Sequence, residues 1–202
     1  LMELVTEPTI TSAKQAGDFA RELQLLLRYL EVSAANMERG EMRVEANISI
    51  APAGERGTKV EVKNLNSFKS VEQAIEYEFK RQVELLESGG KVVQETRGWD
   101  EGKGRTFSQR LKESSHDYRY FPDPDLPKLW LSEIPEFSPP AGGLKDTIPE
   151  LPWEKRERLT ELGFLQAQDV EQIVGDQALA QFFDELTEEL KEPALVKIAA
   201  NF

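Results

Sequence analysis

Between residues 122 and 152 the chain carries eight of its eleven prolines: Pro122, Pro124, Pro127, Pro135, Pro139, Pro140, Pro149 and Pro152. Proline fixes φ and removes a backbone donor, so neither a helix nor a central strand runs through such a stretch. The chain must therefore fold as something before this segment and something after it. Ser138-Pro-Pro-Ala-Gly-Gly143 is the best linker within it. Charge also changes there: residues 141–202 hold 6 basic and 13 acidic side chains, and residues 1–140 hold 19 and 24. The expected boundary lies near residue 140. No internal repeat is visible.

The first part alternates helix and strand patterns. Thr11 or Ser12 can cap a helix with Phe19, Leu23, Leu26, Leu27 and Leu30 at helical spacing. Met42, Val44, Ala46, Ile48 and Ile50 then alternate with Arg43, Glu45, Asn47 and Ser49, a period of two that buries one face of a strand. After a turn from Ala51 to Gly57, Lys59-Val-Glu-Val-Lys63 alternates again. Ser67 can cap a long helix with Val71, Ile75, Phe79, Val83 and Leu86 on one face, stopped at Gly89-Gly90. Residues 91–99 and 105–111 read as a hairpin around Asp100-Glu-Gly-Lys-Gly104. Short turns favour antiparallel neighbours. The pattern predicts an α+β fold: an antiparallel sheet with packed helices over residues 1–140, followed by a small all-α domain over 141–202. In the latter, 153–162, 167–175, 176–190 and 193–201 read as short amphipathic helices, with Leu179, Phe182, Phe183, Leu186 and Leu190 as core.

Composition excludes several classes. Hydrophobic residues at 39% and charged residues at 31% fit a globular chain. No stretch approaches the ~18 apolar residues of a membrane span. The 25 basic and 37 acidic residues, a net of −12, argue against indiscriminate binding to nucleic acid or anionic lipid. With no cysteine, disulfides and thiolate metal sites are excluded, with a mild lean to the cytosol. The opening Leu1-Met-Glu-Leu-Val5 has no basic leader and reads as a strand entered midway, so the chain is expected to be a piece of a longer protein.

If the two alternating strands pair, Arg43, Glu45, Asn47, Glu61 and Lys63 share one polar face. Carboxylate and amide oxygens suit Mg²⁺, which keeps waters and bridges phosphates; Arg and Lys beside them could neutralise those phosphates. A solvated face laced with cross-strand ion pairs has the same pattern. Lys63-Asn-Leu-Asn-Ser-Phe68 can cap a helix, or aim its N-terminus at an anion. Glu3 and Glu7 bracket Leu-Val-Thr; one of them could join the carboxylates, or the two could form an exposed edge pair. His116, the single histidine, and Asp117 have no partner motif for catalysis; Tyr118-Arg-Tyr-Phe-Pro-Asp-Pro-Asp125 could pack on the sheet or stack on a base. No P-loop or Gly-x-Gly-x-x-Gly is present, so any ATP site is of another type.

Several strings in order carry a resemblance: Glu3-Leu-Val-Thr-Glu-Pro8, Arg43-Val-Glu-Ala-Asn-Ile-Ser49, Val60-Glu-Val-Lys-Asn-Leu-Asn-Ser67, Gln94-Glu-Thr-Arg97, His116-Asp-Tyr-Arg-Tyr-Phe-Pro-Asp-Pro-Asp-Leu126 and Ile148-Pro-Glu-Leu-Pro152. Together they resemble the B subunits of the glutamyl/aspartyl-tRNA amidotransferases. The resemblance implies a cytoplasmic or organellar ligase and a partial glutamine-synthetase-like cradle. Such a ligase activates the side-chain carboxylate of Glu-tRNA(Gln) or Asp-tRNA(Asn) with ATP and Mg²⁺. It then amidates that carboxylate with ammonia from a glutaminase partner, the A subunit, while the C subunit holds the other two together. The resemblance implies metal roles for Glu3, Glu45 and Glu61, catalytic roles for Glu45, Glu61 and Lys63, and ATP or substrate contacts for Arg43, Asn47, Asn64 and Asn66. The family usually has Arg-Cys-Asp-Ala-Asn where this chain has Arg43-Val-Glu-Ala-Asn47, so Glu45 is one methylene longer. The family's N-terminal Glu-x-His strand and tail domain lie outside this chain, which is expected to be inactive alone. A non-catalytic RNA-binding scaffold, or a ligase acting on a free amino acid, are the alternatives.

Overall fold

The structure, a computed structural model, describes residues 2–52, 54–111, 124–134, 147–190 and 193–199. The Ser138–Gly143 linker, the boundary near 140 and the His116–Asp123 run lie outside them. The chain divides into two compact units, Leu1–Gln24 with Ala35–Pro124, and Leu25–Ala34 with Asp125–Phe202.

The first unit is α+β. Helix α1 (Ala13–Tyr29), which belongs to this unit as far as Gln24 and to the second from Leu25, is capped by Ser12, whose Oγ accepts from the Gln15 amide at 3.2 Å. Strands β1 (Val44–Ile48) and β2 (Val60–Leu65) pair antiparallel, with Ala46 opposite Val62 and Asn47 opposite Glu61. Helix α2 (Phe68–Glu87) begins at Ser67, which accepts from the Ser70 amide at 3.0 Å. It ends where Gly89, at φ +79°, takes up the left-handed conformation that closes a helix. Strands β3 (Glu95–Asp100) and β4 (Arg105–Leu111) form the predicted hairpin, the first shorter than its pattern suggested.

The sheet order is β1-β2-β3-β4, and β2 runs parallel to β3. The sheet is thus mixed rather than wholly antiparallel. The turns rightly set β1–β2 and β3–β4, but α2 is a twenty-residue crossover between β2 and β3, long enough to return the chain in the same direction. Residues 2–6 are irregular and not a strand.

Ala46, Ile48, Val62, Leu65 and Trp99 face Val71 and Ala74 of α2 in the core. The α2 face differs from the predicted one. Ser70, Val71, Ala74, Glu78 and Gln82 are buried, while Phe79 is 52% exposed and Leu86 is 40% exposed. The buried row Ser70, Ala74, Glu78 and Gln82 has the same four-residue step as the expected one but lies one residue earlier, about 100° around the helix, where Arg81, Arg97 and Thr106 meet the carboxylate at position 78. Val71 and Ile75 stay; Phe79 does not.

In the second unit the described regular structure is a 3₁₀ turn (Leu131–Glu133) and helices α3 (Pro152–Glu161), α4 (Ala167–Gly175), α5 (Gln177–Leu190) and α6 (Pro193–Ala199). Leu159, Val170, Ile173, Val174, Ala180 and Phe183 pack with Leu25 and Tyr29, the buried pair at the end of α1 that the apolar spacing missed. Of the α5 stripe, Phe183 and Leu190 join this core and Phe182 points outward. Lys155 lies between Glu150 and Asp184 at 3.3 and 2.6 Å, and Arg158 donates to both carboxylates. No helix among the described residues is long and apolar enough to cross a membrane.

The Tyr29 hydroxyl donates to the Val174 carbonyl at 2.9 Å. Burial, reinforced by the negative charge of Glu150, pushes its phenol up from 10.0 to about 12. A folded-state value above the unfolded one means that this contribution to stability is complete below pH 10 and lost as pH rises towards 12. Urea denaturation across that window should show a decline that Tyr29→Phe removes; an equal decline in the variant would refute the assignment.

Candidate functional site

The outer face of β1 and β2 gathers most of the residues singled out from sequence. Lys63 Nζ donates to Glu45 Oε1 at 3.1 Å and lies 3.8 Å from Glu61 Oε2. Arg43 stands 3.7 Å from the same Glu45 oxygen. Asn47 lies opposite Glu61 in the register, and Thr96 of β3 donates to Glu61 Oε2 at 2.8 Å. The cross-strand ion pairs expected of a half-exposed sheet are therefore present, centred on one lysine between two carboxylates.

A β-bulge shapes this face. Ala46 pairs Val62, but Val44 pairs Leu65, so Lys63 and Asn64 together oppose Glu45. Asn64 takes φ +64°, the left-handed conformation that asparagine tolerates better than most residues. The extra residue lets Leu65 return to the core while Asn64 stays outside beside Lys63. Strict alternation would have sent Asn64 inward. A small cleft of about 80 Å³ opens here, lined by Met37, Met42, Arg43, Glu45, Asn64 and Asn66 among others.

Glu3 is exposed in the irregular segment ahead of α1. Among the described residues no group of three or more His, Cys, Asp or Glu side chains is arranged to hold a metal ion, so Glu3, Glu45 and Glu61 are not gathered at one point. The two-carboxylate set passes a narrower test. Glu45 and Glu61 already converge on a cation, the Lys63 ammonium, and two carboxylate oxygens completed by water and phosphate are a donor set Mg²⁺ accepts.

Sequence reasoning missed a second polar cluster on the opposite, α2-covered face. Glu78 is fully buried and accepts from Arg81 Nε and Nη2, from Gln82 and from Thr106; Arg97 Nε lies 3.0 Å away. Arg97 also donates to Glu95 at 2.6 Å, and Ser108 donates to Glu95. Burial pushes the Glu78 carboxyl up, but hydrogen bonds from Arg81, Thr106 and Gln82 outweigh it and hold it below the ordinary carboxylate range. The sequence signals were the string Gln94-Glu-Thr-Arg97, which carries part of the resemblance without a role for its charges, and the alternation of Glu95, Arg97 and Trp99, which a surface strand would show equally. A further open groove of about 420 Å³ lies between α3 and α4, spanned by an Arg156–Glu171 ion pair at 2.9 Å; it contains no residue singled out from sequence.

A sequence model described as the GatB/GatE catalytic domain matches residues 1–134. The chain is 45% identical to a protein of Caldicellulosiruptor saccharolyticus named as the B subunit of aspartyl/glutamyl-tRNA(Asn/Gln) amidotransferase, aligned over 100% of this chain and 41% of that one. A protein of the same name from Crocosphaera subtropica is 46% identical over 91% of this chain and 37% of its own length. One from Physcomitrium patens, named as the chloroplastic/mitochondrial B subunit of glutamyl-tRNA(Gln) amidotransferase, is 47% identical over 100% of this chain and 35% of its own length. The chain thus spans about two fifths of the curated relatives it matches.

Proposed function

Because the chain belongs to the GatB/GatE catalytic domain family, we propose that it contributes the nucleotide-activating face of a tRNA-dependent amidotransferase. In this reading ATP activates the side-chain carboxylate of Glu-tRNA(Gln) or Asp-tRNA(Asn). Ammonia from a glutaminase partner, the A subunit, displaces the phosphate, and a C subunit holds the assembly together. The observation that supports it is the convergence of Glu45, Lys63 and Glu61, flanked by Arg43 and Asn47, on one sheet face.

Glu45 and Glu61 would hold Mg²⁺, which when bound supplies charge neutralisation for the phosphates. Lys63 and Arg43 are the cations able to follow negative charge as it moves to the leaving phosphate, a contribution that grows in the transition state. The amides of Asn47, Asn64 and Asn66 orient substrate oxygens. Glu3, the third acid implied by the resemblance, would have to be carried inward from its exposed position, and the isolated chain is accordingly proposed to be inactive.

The test is ATP-dependent conversion of Glu-tRNA(Gln) to Gln-tRNA(Gln) by the full-length protein in complex with its partners. Glu61→Gln is expected to lower kcat by about a hundredfold or more while the urea midpoint stays in place. Full activity in both Glu61→Gln and Glu45→Gln would sink the assignment. One observation favours a second reading, a non-catalytic RNA-binding scaffold: Lys63 already pairs with both carboxylates and Arg43 with Glu45, so the face is charge-balanced as it stands. That reading expects no ATP binding at all.

A further inference from the structure

Glu61 is held in place from a neighbouring strand. Thr96 of β3 is registered beside Glu61 of β2, so the two side chains leave this parallel pair on the same face. The Thr96 hydroxyl donates to Glu61 Oε2 at 2.8 Å. Thr96 is 2% exposed, so the bond is closed to water. The carboxylate it serves is sheltered too, with 13% of the Glu61 side chain exposed against 34% for Glu45. The strand that carries Thr96 is anchored on its other face. Arg97 donates to Thr106 Oγ1 at 2.8 Å and to the Thr106 carbonyl at 3.2 Å, and lies 3.0 Å from the buried Glu78 carboxylate. Glu95 accepts from Arg97 and from Ser108. The residues before and after Thr96 are thereby tied to β4 and α2. A second bulge lies here: Thr96 pairs Arg110 and Arg97 pairs Ser108, so Gln109 is the extra residue. It is added on β4, so β3 keeps its alternation and Thr96 stays on the Glu61 face.

We propose that Thr96 is a positioning residue: its hydroxyl fixes the orientation of the Glu61 carboxylate and so sets the affinity of that carboxylate for a divalent cation. This rests on the reading of Glu45 and Glu61 as the metal-holding pair and adds a residue outside it. A glutamate side chain has three torsions, and one left to turn must be ordered whenever an ion binds. A threonine is stiff at χ1, so its hydroxyl is a donor fixed to the strand. A hydrogen bond from it to one oxygen selects one plane for the whole carboxylate. Lys63 Nζ, 3.8 Å from the same oxygen, is too distant to supply that bond in its place. Groups that orient metal-holding side chains in this way contribute about 10- to 100-fold in metal affinity or activity.

A bond that served only to join β2 to β3 would, when lost, lower stability and leave metal affinity unchanged, so the two roles are separable. The experiment titrates Mn²⁺ alone, followed by its electron paramagnetic resonance, into the full-length protein in its complex. Formation of Gln-tRNA(Gln) and the thermal midpoint are measured on the same samples. Thr96→Val keeps the shape and removes the donor, and Thr96→Ser keeps the donor. Thr96→Val is expected to weaken the Mn²⁺ site that Glu61→Gln abolishes by about 10- to 100-fold, and to raise the half-saturating Mg²⁺ concentration of the reaction similarly. Thr96→Ser should restore both. Because Thr96 acts through Glu61, adding Thr96→Val to Glu61→Gln should bring no further loss of residual activity. Unchanged Mn²⁺ affinity in Thr96→Val overturns the proposal, whatever happens to the midpoint. So does an equal loss in Thr96→Val and Thr96→Ser, or a full additional loss in the double variant. A wild-type complex that binds no Mn²⁺ at a Glu61-dependent site removes the metal-face reading and the role of Thr96 with it. A loss in Glu61→Gln with Thr96→Val unaffected removes the role of Thr96 alone.

Discussion

Glu78→Ala is expected to destabilise the first unit by about 3–5 kcal/mol, the largest effect of any single substitution in it. The side chain is fully buried, and its carboxylate is the common acceptor for Arg81, Gln82 and Thr106, with Arg97 at 3.0 Å. Removing it leaves two largely buried guanidinium groups facing each other's charge, and among the described residues Glu95 is the ion partner that Arg97 retains. Replacing the whole set by apolar residues of similar volume should cost much less, because the penalty comes from the stranded charge rather than from the lost pair. A double-mutant cycle with Glu78→Leu and Arg97→Met, read by urea denaturation, measures this directly. Additive losses in the double variant would show that the two side chains do not act as a unit. The network also has a pH signature. Because the Glu78 carboxyl is held below its ordinary value of 4.5, its contribution is present above that pH and is lost as pH falls through the lower, folded-state value.

In the second unit the corresponding result is for Leu159→Ala, expected to cost about 3–5 kcal/mol. Leu159 has no exposed surface and packs among Val170, Ile173, Val174 and Phe183. The pairs of Lys155 and Arg158 with Asp184 tie α3 to α5, and Arg156–Glu171 ties α3 to α4, so the cavity has little freedom to collapse. Phe182→Ala, one residue from the buried Phe183 and itself 60% exposed, should change stability by no more than about 0.5 kcal/mol. Comparable losses for the two variants, measured as midpoint shifts in the same denaturant series, would contradict the packing described.

The contrast between Phe182 and Phe183 shows where sequence patterns stop being informative. Both residues are apolar and lie on the same helix, and a stripe wide enough to include one includes the other. What separates them is about 100° of rotation and the position of a neighbouring helix, and spacing carries only the first. The same holds on α2, where Glu78 and Gln82 are inside and Phe79 outside. A polarity rule assigns those positions the other way. It fails because Arg97 and Thr106, from strands distant in sequence, compensate the burial of a carboxylate there.

The candidate site was more legible. Val44, Ala46 and Ile48 against Val60 and Val62 have a period of two that leaves one solution for which side faces inward, and the connection over residues 49–59, too short for a parallel crossover, sets the antiparallel pairing. Arg43, Glu45, Asn47, Glu61 and Lys63 follow onto the other face without further information. The position of Asn64 and Leu65 did not follow, because a bulge adds one residue and inverts the alternation beyond it. The resemblance singled out Glu3 from Glu7, and among the described residues no three acids, Glu3, Glu45 and Glu61 included, are arranged to hold a metal ion.

Local chemistry thus determined by itself the α+β class, the helix caps at Ser12 and Ser67, the β1–β2 hairpin and its charged face, since the caps join residues within one turn and the hairpin follows from a period of two on either side of a single connection. The tertiary structure alone decided the parallel pairing of β2 with β3, the burial of Glu78 between Arg81 and Arg97, and the alignment of Glu61, Thr96 and Arg110 across three strands. Those features depend on the α2 crossover laying β3 beside β2 in one register out of several. A side-chain pattern reports which face of a strand is wet, but not which strand will be its neighbour.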